Sequence, residues 1–178
     1  NPGAGGSDPN NLTALGTDLY FNADNGVNGI ELWKYDGSTA TLIDINPGIA
    51  DSDPESLEVW GTDLYFSADD GTSGIELWKF DGFTATLIDI VPGAIGSEPY
   101  SFKGIGANLY FTCYDATYGY ELWVYDGITA SFIYDINPGL EDSEPGNFIA
   151  VDTSIYFGAY ELTTGTELWR LTDNTLGI

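Results

Sequence analysis

Four glutamates recur in the same short motif, and this spacing is the first in the sequence that suggests chemistry. Each stands two residues before a tryptophan, in the pairs Glu31 and Trp33, Glu76 and Trp78, Glu121 and Trp123, and Glu167 and Trp169. Residues two apart share one face of a strand, and a carboxylate on an aromatic face is costly unless donors satisfy it. The glutamates therefore either bind a cation or act in acid–base catalysis, or they accept N–H groups from a loop and fasten the fold. Recurrence in every repeat favours the structural interpretation, with each tryptophan filling a gap between sheets.

Acidic loops are the second candidate. The sequence reads NADNG at 22–26 and SADDG at 67–71, and TCYDA follows at 112–116. Oxygen-bearing side chains before a glycine are typical of calcium loops. They are equally typical of Asx turns, in which the glycine supplies a positive φ. The candidate calcium ligands, and with them the only cofactor expected, are Asp24, Asn25, Asp69, Asp70 and Asp115.

Conventional catalysis finds little support in the composition. The chain has no histidine, so a Ser–His or Cys–His nucleophile is excluded and zinc lacks its commonest nitrogen ligand. Paired carboxylates flanking a sugar remain available among 28 acidic residues, which makes a carbohydrate-active enzyme the alternative function. The main prediction is that the chain is not an enzyme.

Tyrosines mark the place where the sequence departs most from its own pattern. The loop CYDATYGYELW carries Tyr114, Tyr118 and Tyr120, and Tyr160 stands in the following stretch. Tyrosine gives a large contact area for little entropy, so an aromatic patch here would suit a sugar ring or a protein partner. The alternative is local packing that fills space left by lost glycines and acids.

One short motif concerns modification. Asn11-Leu12-Thr13 fits the Asn-X-Thr acceptor pattern, which makes Asn11 a candidate glycosylation site.

An internal repeat must position all of these residues. The ELW triplets step by 45, 45 and 46 residues, and Pro-Gly and Ser-acid-Pro segments recur at the same spacing. The repeats take residues 1–45, 46–90, 91–136 and 137–178 of a single domain. Each offers four short runs rich in aromatic and branched residues, which are typical of strands. Four-stranded antiparallel meanders at this period predict an all-β protein with the blades of a four-repeat β-propeller. An arc of a larger propeller or a repeat array is the alternative.

The motifs ELWKYDG, ELWKFDG and ELWVYDG, with DINPG and SDP segments between them, resemble the ELWxxDGT repeat family of bacterial surface and secreted proteins. The resemblance implies a repeat architecture and an extracellular or cell-surface setting, and it supplies no catalytic residues. The fourth copy departs from the motif, because Thr172-Asp173 replaces Asp-Gly. A different outer hairpin is expected there.

The charge limits the partners. Lys and Arg number 4 against 28 Asp and Glu, giving −24. Nothing in such a chain neutralises phosphates, so nucleic acid is excluded and insertion into an anionic membrane is not expected. Ion pairs with neighbouring carboxylates are the natural use of the few basic residues. The expected function is an extracellular, non-catalytic module that either binds a protein or polysaccharide or assembles with itself into an oligomer or filament.

Overall fold

The chain consists of strands and loops throughout the part that the computed structural model describes, residues 5–172 and 175–177. Within these residues, sixteen strands follow one another in chain order. They are β1 (Asn10–Leu15), β2 (Asp18–Asp24), β3 (Ile30–Tyr35), β4 (Ala40–Ile43), β5 (Glu55–Trp60), β6 (Asp63–Asp69), β7 (Ile75–Phe80), β8 (Ala85–Ile88), β9 (Tyr100–Ile105), β10 (Asn108–Asp115), β11 (Gly119–Tyr125), β12 (Ala130–Tyr134), β13 (Gly146–Val151), β14 (Ser154–Glu161), β15 (Gly165–Thr172) and β16 (Thr175–Gly177).

Each run of four consecutive strands forms one antiparallel sheet. The described residues up to 98 form one compact unit, which contains the sheets β1–β4 and β5–β8. The described residues from 99 onward form a second unit, which contains β9–β12 and β13–β16. Neighbours in sequence are neighbours in every sheet. The predicted four-stranded meanders are therefore confirmed.

The turn residues close the hairpins in two ways. Trp60 pairs with Asp63, so the first hairpin of the second sheet turns on Gly61-Thr62, with Gly61 at φ 66°. The third and fourth strands are joined by four residues instead of two, because Phe80 pairs with Ala85. In that loop the Asp81 carboxylate accepts the N–H groups of Phe83 and Thr84, both at 2.8 Å.

The third and fourth sheets contain the exceptions to the repeat. The register between β11 and β12 shifts between Leu122 and Trp123, so the extra residue of the third repeat is accommodated as a bulge. In the fourth sheet Thr172 pairs with Thr175, a shorter connection than the four-residue loops of the other sheets. Asp173, part of the predicted departure, lies outside the described residues.

Each unit has its own apolar core between two sheet faces. In the first unit Tyr20 and Leu32 of sheet β1–β4 belong to one buried cluster with Leu64, Phe66 and Trp78 of sheet β5–β8. The second unit repeats this arrangement. Tyr110 and Leu122 cluster there with residues of the next sheet, among them Phe148, Ile155, Phe157 and Trp169.

No helix among residues 5–172 and 175–177 is long and apolar enough to cross a membrane.

Candidate functional site

Three of the four motif glutamates are fully buried, at the starts of β3, β7 and β11. Oε2 of Glu31 accepts the Ile45 N–H at 2.9 Å and the Ser52 hydroxyl at 2.7 Å. Oε2 of Glu76 likewise accepts the Ile90 N–H at 2.9 Å and the Ser97 hydroxyl at 2.5 Å. Oε2 of Glu121 accepts the Ile136 N–H at 2.9 Å and the Ser143 hydroxyl at 2.6 Å. Each carboxylate thus binds the segment that leads out of its own sheet, an arrangement termed here the Glu–Ser clasp.

The clasp also fixes the next sheet. Ser52 N–H donates to the Ile30 carbonyl at 3.0 Å, and the Ser52 carbonyl accepts the Asp69 N–H at 2.9 Å. One serine therefore bonds sheet β1–β4 and sheet β5–β8 at once. In the second unit Ser143 does the same between Tyr120 and Tyr160, at 3.0 and 2.7 Å. These contacts describe a structural role for the three buried glutamates.

Burial determines the protonation of these carboxyls. Desolvation raises the pKa of Glu31, Glu76 and Glu121, and the serine and backbone donors only partly oppose it. For Glu121 the pKa is raised to about 7. A carboxyl with a shifted pKa is often a sign of catalysis. Here the side chain is fully buried and its acceptor atoms are taken by donors of the same chain.

Glu167 departs from this pattern. It is exposed on β15, and no Ser-acid-Pro segment of the described chain lies against it. The predicted fastening is therefore not seen at Glu167 within the described residues. The sequence of the motif does not show the difference, because ELW is unchanged there.

The motif tryptophans are packed with unequal polar contacts. The indole N–H of Trp33 donates to the Ala23 carbonyl at 3.0 Å, and that of Trp78 to Ala68 at 3.1 Å. Trp169 is buried in the core of the second unit. Trp123 is half-buried and meets Phe132 edge-on, with centroids 5.7 Å apart. The indole nitrogens of Trp123 and Trp169 are buried without a hydrogen-bond partner in the described structure.

The polar side chains of the acidic loops accept hydrogen bonds from backbone N–H groups of the same loops. Asp24 and Asp69 accept the N–H groups of Gly26 and Gly71, at 2.6 and 2.7 Å. Asn25 accepts from Val27 and Asn28, at 2.9 and 2.8 Å; Asp70 accepts from Thr72 and Ser73, at 2.8 and 2.7 Å. Asp115 accepts the Thr117 N–H at 2.7 Å. These contacts are those of Asx turns.

The same loops bring together few possible metal ligands. Among residues 5–172 and 175–177, no group of three or more His, Cys, Asp or Glu side chains is placed to hold an ion. Oxygens from backbone carbonyls and amides also bind calcium, so calcium stays a prediction from the sequence.

The third-repeat tyrosines separate into two aromatic groups. Tyr114 and Tyr120 pair across β10 and β11, with ring centroids 5.2 Å apart, and Tyr120 also contacts Tyr100 at 5.8 Å. Burial, with smaller contributions from Glu144 and Asp142, raises the pKa of Tyr100 to about 12. Tyr100 was missed at the sequence level, although it takes the place that Glu55 holds in the previous repeat.

The second aromatic group is a stack. Tyr118 lies on Phe132 with centroids 4.4 Å apart and planes 15° from parallel, and Phe132 in turn contacts Trp123. Tyr160 lies on β14 and is 39% exposed. Its backbone N–H donates to the Ser143 carbonyl. The predicted patch therefore comprises two groups within the third sheet and a separate tyrosine on the fourth.

Two lysines are engaged by carboxylates. Lys34 lies 2.5 Å from Asp18 and Lys79 lies 2.7 Å from Asp63, at equivalent positions of the first two sheets. Such partly exposed pairs contribute little to stability, but they occupy half of the chain's four basic residues. Asn11, the candidate glycosylation site, is half-buried on β1.

Solved structures resemble this arrangement. The β-propeller domain of the Trilobed protease from Pyrococcus furiosus matches with a TM-score of 0.63 and 13% identity, over 93% of this chain and 52% of that one. These sheets are β-propeller blades. A putative TolB from Agrobacterium tumefaciens matches at 0.61 and 12% identity, over 97% of this chain and 65% of that one. A puromycin-hydrolyzing peptidase from Mycobacterium tuberculosis matches at 0.64 and 13% identity, over 98% and 29%.

These similarities concern the fold. The chain spans between 29% and 65% of the lengths of those three proteins. No protein-family model matches the sequence, and no curated protein sequence matches it.

Proposed function

We propose that this chain is a non-catalytic β-propeller module that binds a neutral polysaccharide or a protein outside the cell. The observation that carries the proposal is the aromatic stack of the third repeat, where Tyr118 lies on Phe132 at 4.4 Å. An aromatic ring already held against another loses little entropy on binding a sugar or a protein surface. The extracellular setting rests on the resemblance to the ELWxxDGT repeats and on the acidic composition.

The environment of the repeated carboxylates supports a non-catalytic role. Glu31, Glu76 and Glu121 are fully buried, and each already accepts a serine hydroxyl and a backbone N–H. A general acid must reach the atom that it protonates. Buried carboxyls that hold a loop in place are poorly suited to this task.

Capture on an array of neutral polysaccharides tests the proposal. The double variant Tyr118→Ala, Tyr120→Ala is expected to lose about tenfold or more in retention, the change that about 1.4 kcal/mol of contact energy gives. Tyr134→Ala is the matched control, because Tyr134 is a 51% exposed tyrosine of the same sheet. Retention that is equal in all three proteins would refute the aromatic site.

The same array addresses the alternative of a carbohydrate-active enzyme with paired carboxylates. Release of shortened sugars that disappears with one Asp or Glu replacement would establish catalysis and overturn the proposal.

A further inference from the structure

The first and last sheets each have an apolar face that includes residues far more exposed than the equivalent residues of other sheets. The face of sheet β1–β4 formed by Leu12, Leu19, Phe21 and Trp33 is termed the leading face. The face of sheet β13–β16 formed by Ile149, Tyr156 and Leu168 is termed the trailing face. The sheet-to-sheet packing inside each unit shows what normally covers such faces.

The leading face is open. Leu12 is 61% exposed, whereas the equivalent Leu57 packs against the core of the first unit. Phe21 is only half-buried, whereas its counterpart Phe66 is fully buried beneath Tyr20 and Leu32 of the preceding sheet. Pro9, Leu12 and Phe21 line a groove on this face.

The trailing face is open as well. Leu168 is 63% exposed, whereas the equivalent Leu32, Leu77 and Leu122 have no exposed surface. Ile149 is 59% exposed. In the first unit the residues that correspond to Leu168 and Tyr156 are Leu32 and Tyr20. They pack on the face of sheet β5–β8 that is equivalent to the leading face of sheet β1–β4. The two open faces are therefore the two halves of an interface that the chain already uses.

Half of a Glu–Ser clasp accompanies the trailing face. Glu167 is exposed on β15. A Cβ placed on the equivalent Gly29 or Gly119 would lie 2.5 Å from a carboxylate oxygen, of Asp51 or Asp142 respectively. A Cβ placed on Gly165 would have no atom within 4 Å. In those two sheets the space is filled by the segment bearing Asp51 or Asp142. Around Gly165 the described chain leaves it empty.

The other half of the clasp accompanies the leading face. Ser7-Asp8-Pro9 has the sequence pattern of Ser52-Asp53-Pro54, and Asp8 has a φ of 40° against 42° for Asp53. The Ser7 carbonyl accepts the Asp24 N–H at 3.0 Å, as the Ser52 carbonyl accepts that of Asp69 at 2.9 Å. Pro9, however, is exposed, whereas Pro54 is buried. The segment Ser7-Asp8-Pro9 therefore already makes its contact with the sheet that follows it, while its other side is exposed.

We propose that the leading face of one copy of this chain binds the trailing face of a second copy, head to tail. The Ser7 hydroxyl of one copy then donates to the Glu167 carboxylate of the other. The Ser7 and Asp8 N–H groups donate to the Thr166 carbonyl, as those of Ser52 and Asp53 donate to Ile30. A second copy is the fitting occupant because the chain encodes both halves and the described chain leaves both uncovered. This inference goes beyond the proposed function, because it concerns other faces of the chain than the tyrosine-rich loop.

Charge sets the condition for assembly. Each copy carries −24, so copies repel one another in dilute salt. The apolar contacts are not weakened by salt, whereas the repulsion is screened over about 3 Å at 1 M ionic strength against about 30 Å at 0.01 M. Assembly is therefore expected to strengthen as salt increases, and a head-to-tail interface produces closed rings or open filaments.

Sedimentation velocity of the full chain, without any added ligand, tests the proposal. From 0.01 M to 1 M NaCl, the weight-average mass is expected to rise by about twofold or more as the screening length shortens. Leu12→Lys and Leu168→Lys are each expected to abolish the rise. Ile128→Lys makes the same charge change at an 87% exposed position of the third sheet and should assemble as the native chain does. A circular dichroism melt checks that all variants are folded.

A mixture of Leu12→Lys and Leu168→Lys distinguishes this interface from other kinds of association. Leu12→Lys keeps an intact trailing face and Leu168→Lys keeps an intact leading face, so the mixture is expected to form a 1:1 dimer and nothing larger. A native chain that stays monomeric in 1 M NaCl, or a mixture without dimer, would overturn the proposal. Because no polysaccharide is present, failure here leaves the tyrosine-dependent capture unaffected, and the converse also holds.

Discussion

At the scale of single residues, the same glutamate has two different environments along one chain. Glu121 is fully buried, whereas Glu167 in the identical ELW triplet is exposed. The difference comes from the segment that follows each sheet, because Ser143 and Ile136 cover Glu121. The residue type and the local motif were readable from the sequence. The environment was not, since it depends on a contact made 15 and 22 residues away.

The pH dependence of stability should therefore include a contribution from Glu121. Its folded pKa of about 7 lies above its ordinary value of 4.5, so the contribution is fully present below pH 4.5 and is lost as the pH rises through 7. The loss is about 3 kcal/mol on the usual conversion of 1.36 kcal/mol for each pKa unit. Glu121→Gln removes the titrating group, so its free energy of unfolding should fall less between pH 5 and 8 than that of the native chain.

Urea unfolding at a series of pH values measures this difference. Glu167→Gln is the matched control, because it removes one exposed carboxyl from the same motif. If the curves of the native chain and Glu121→Gln run parallel from pH 5 to 8, the raised pKa of Glu121 is refuted.

At the scale of elements, the repeat pattern predicted the strands well and the loops less well. Alternating aromatic and branched residues place each strand, and the two residues Gly61-Thr62 close the hairpin between β5 and β6. The Asp-Gly dipeptide at 81–82 instead begins a four-residue loop, since the Asp81 carboxylate bonds two N–H groups further along. Loop geometry of this kind depends on side-chain hydrogen bonds that strand periodicity does not reveal.

Variants of the acidic loop at 67–73 can distinguish an Asx turn from a calcium-binding loop. Asn25 of the first repeat accepts two N–H groups as Asp70 does, so the turn does not need a charge. Asp70→Asn should leave the stability nearly unchanged, whereas Asp70→Ala should cost about 1 kcal/mol, the usual net value of such hydrogen bonds.

Thermal melting of these variants, with and without a chelator, gives the measurement. The Asx-turn account expects the same midpoint in both conditions. A midpoint that falls on chelation in the native chain, and no longer falls in Asp70→Asn, would show that the loop binds calcium.

At the scale of the whole molecule, the buried carboxylates Glu31 and Glu121 help to hold together the two sheets of each unit, and the departures from the repeat are the places where we propose recognition. The period and the four-stranded blades were predictable, because they follow from residues within one repeat. The open faces at Leu12 and Leu168 were not, because identical positions are buried in other sheets. Exposure there depends on which sheet has a neighbour, which no single repeat encodes.

The most direct test of this account compares the free energies of unfolding of Glu121→Ala and Glu167→Ala at pH 6 in dilute salt, where the chain is expected to be monomeric. Glu121→Ala leaves the buried Ile136 N–H and Ser143 hydroxyl without their acceptor, and each such group costs about 1–3 kcal/mol. The account predicts a loss of about 3 kcal/mol for Glu121→Ala and almost none for Glu167→Ala. Equal losses, or no loss in either variant, would contradict it.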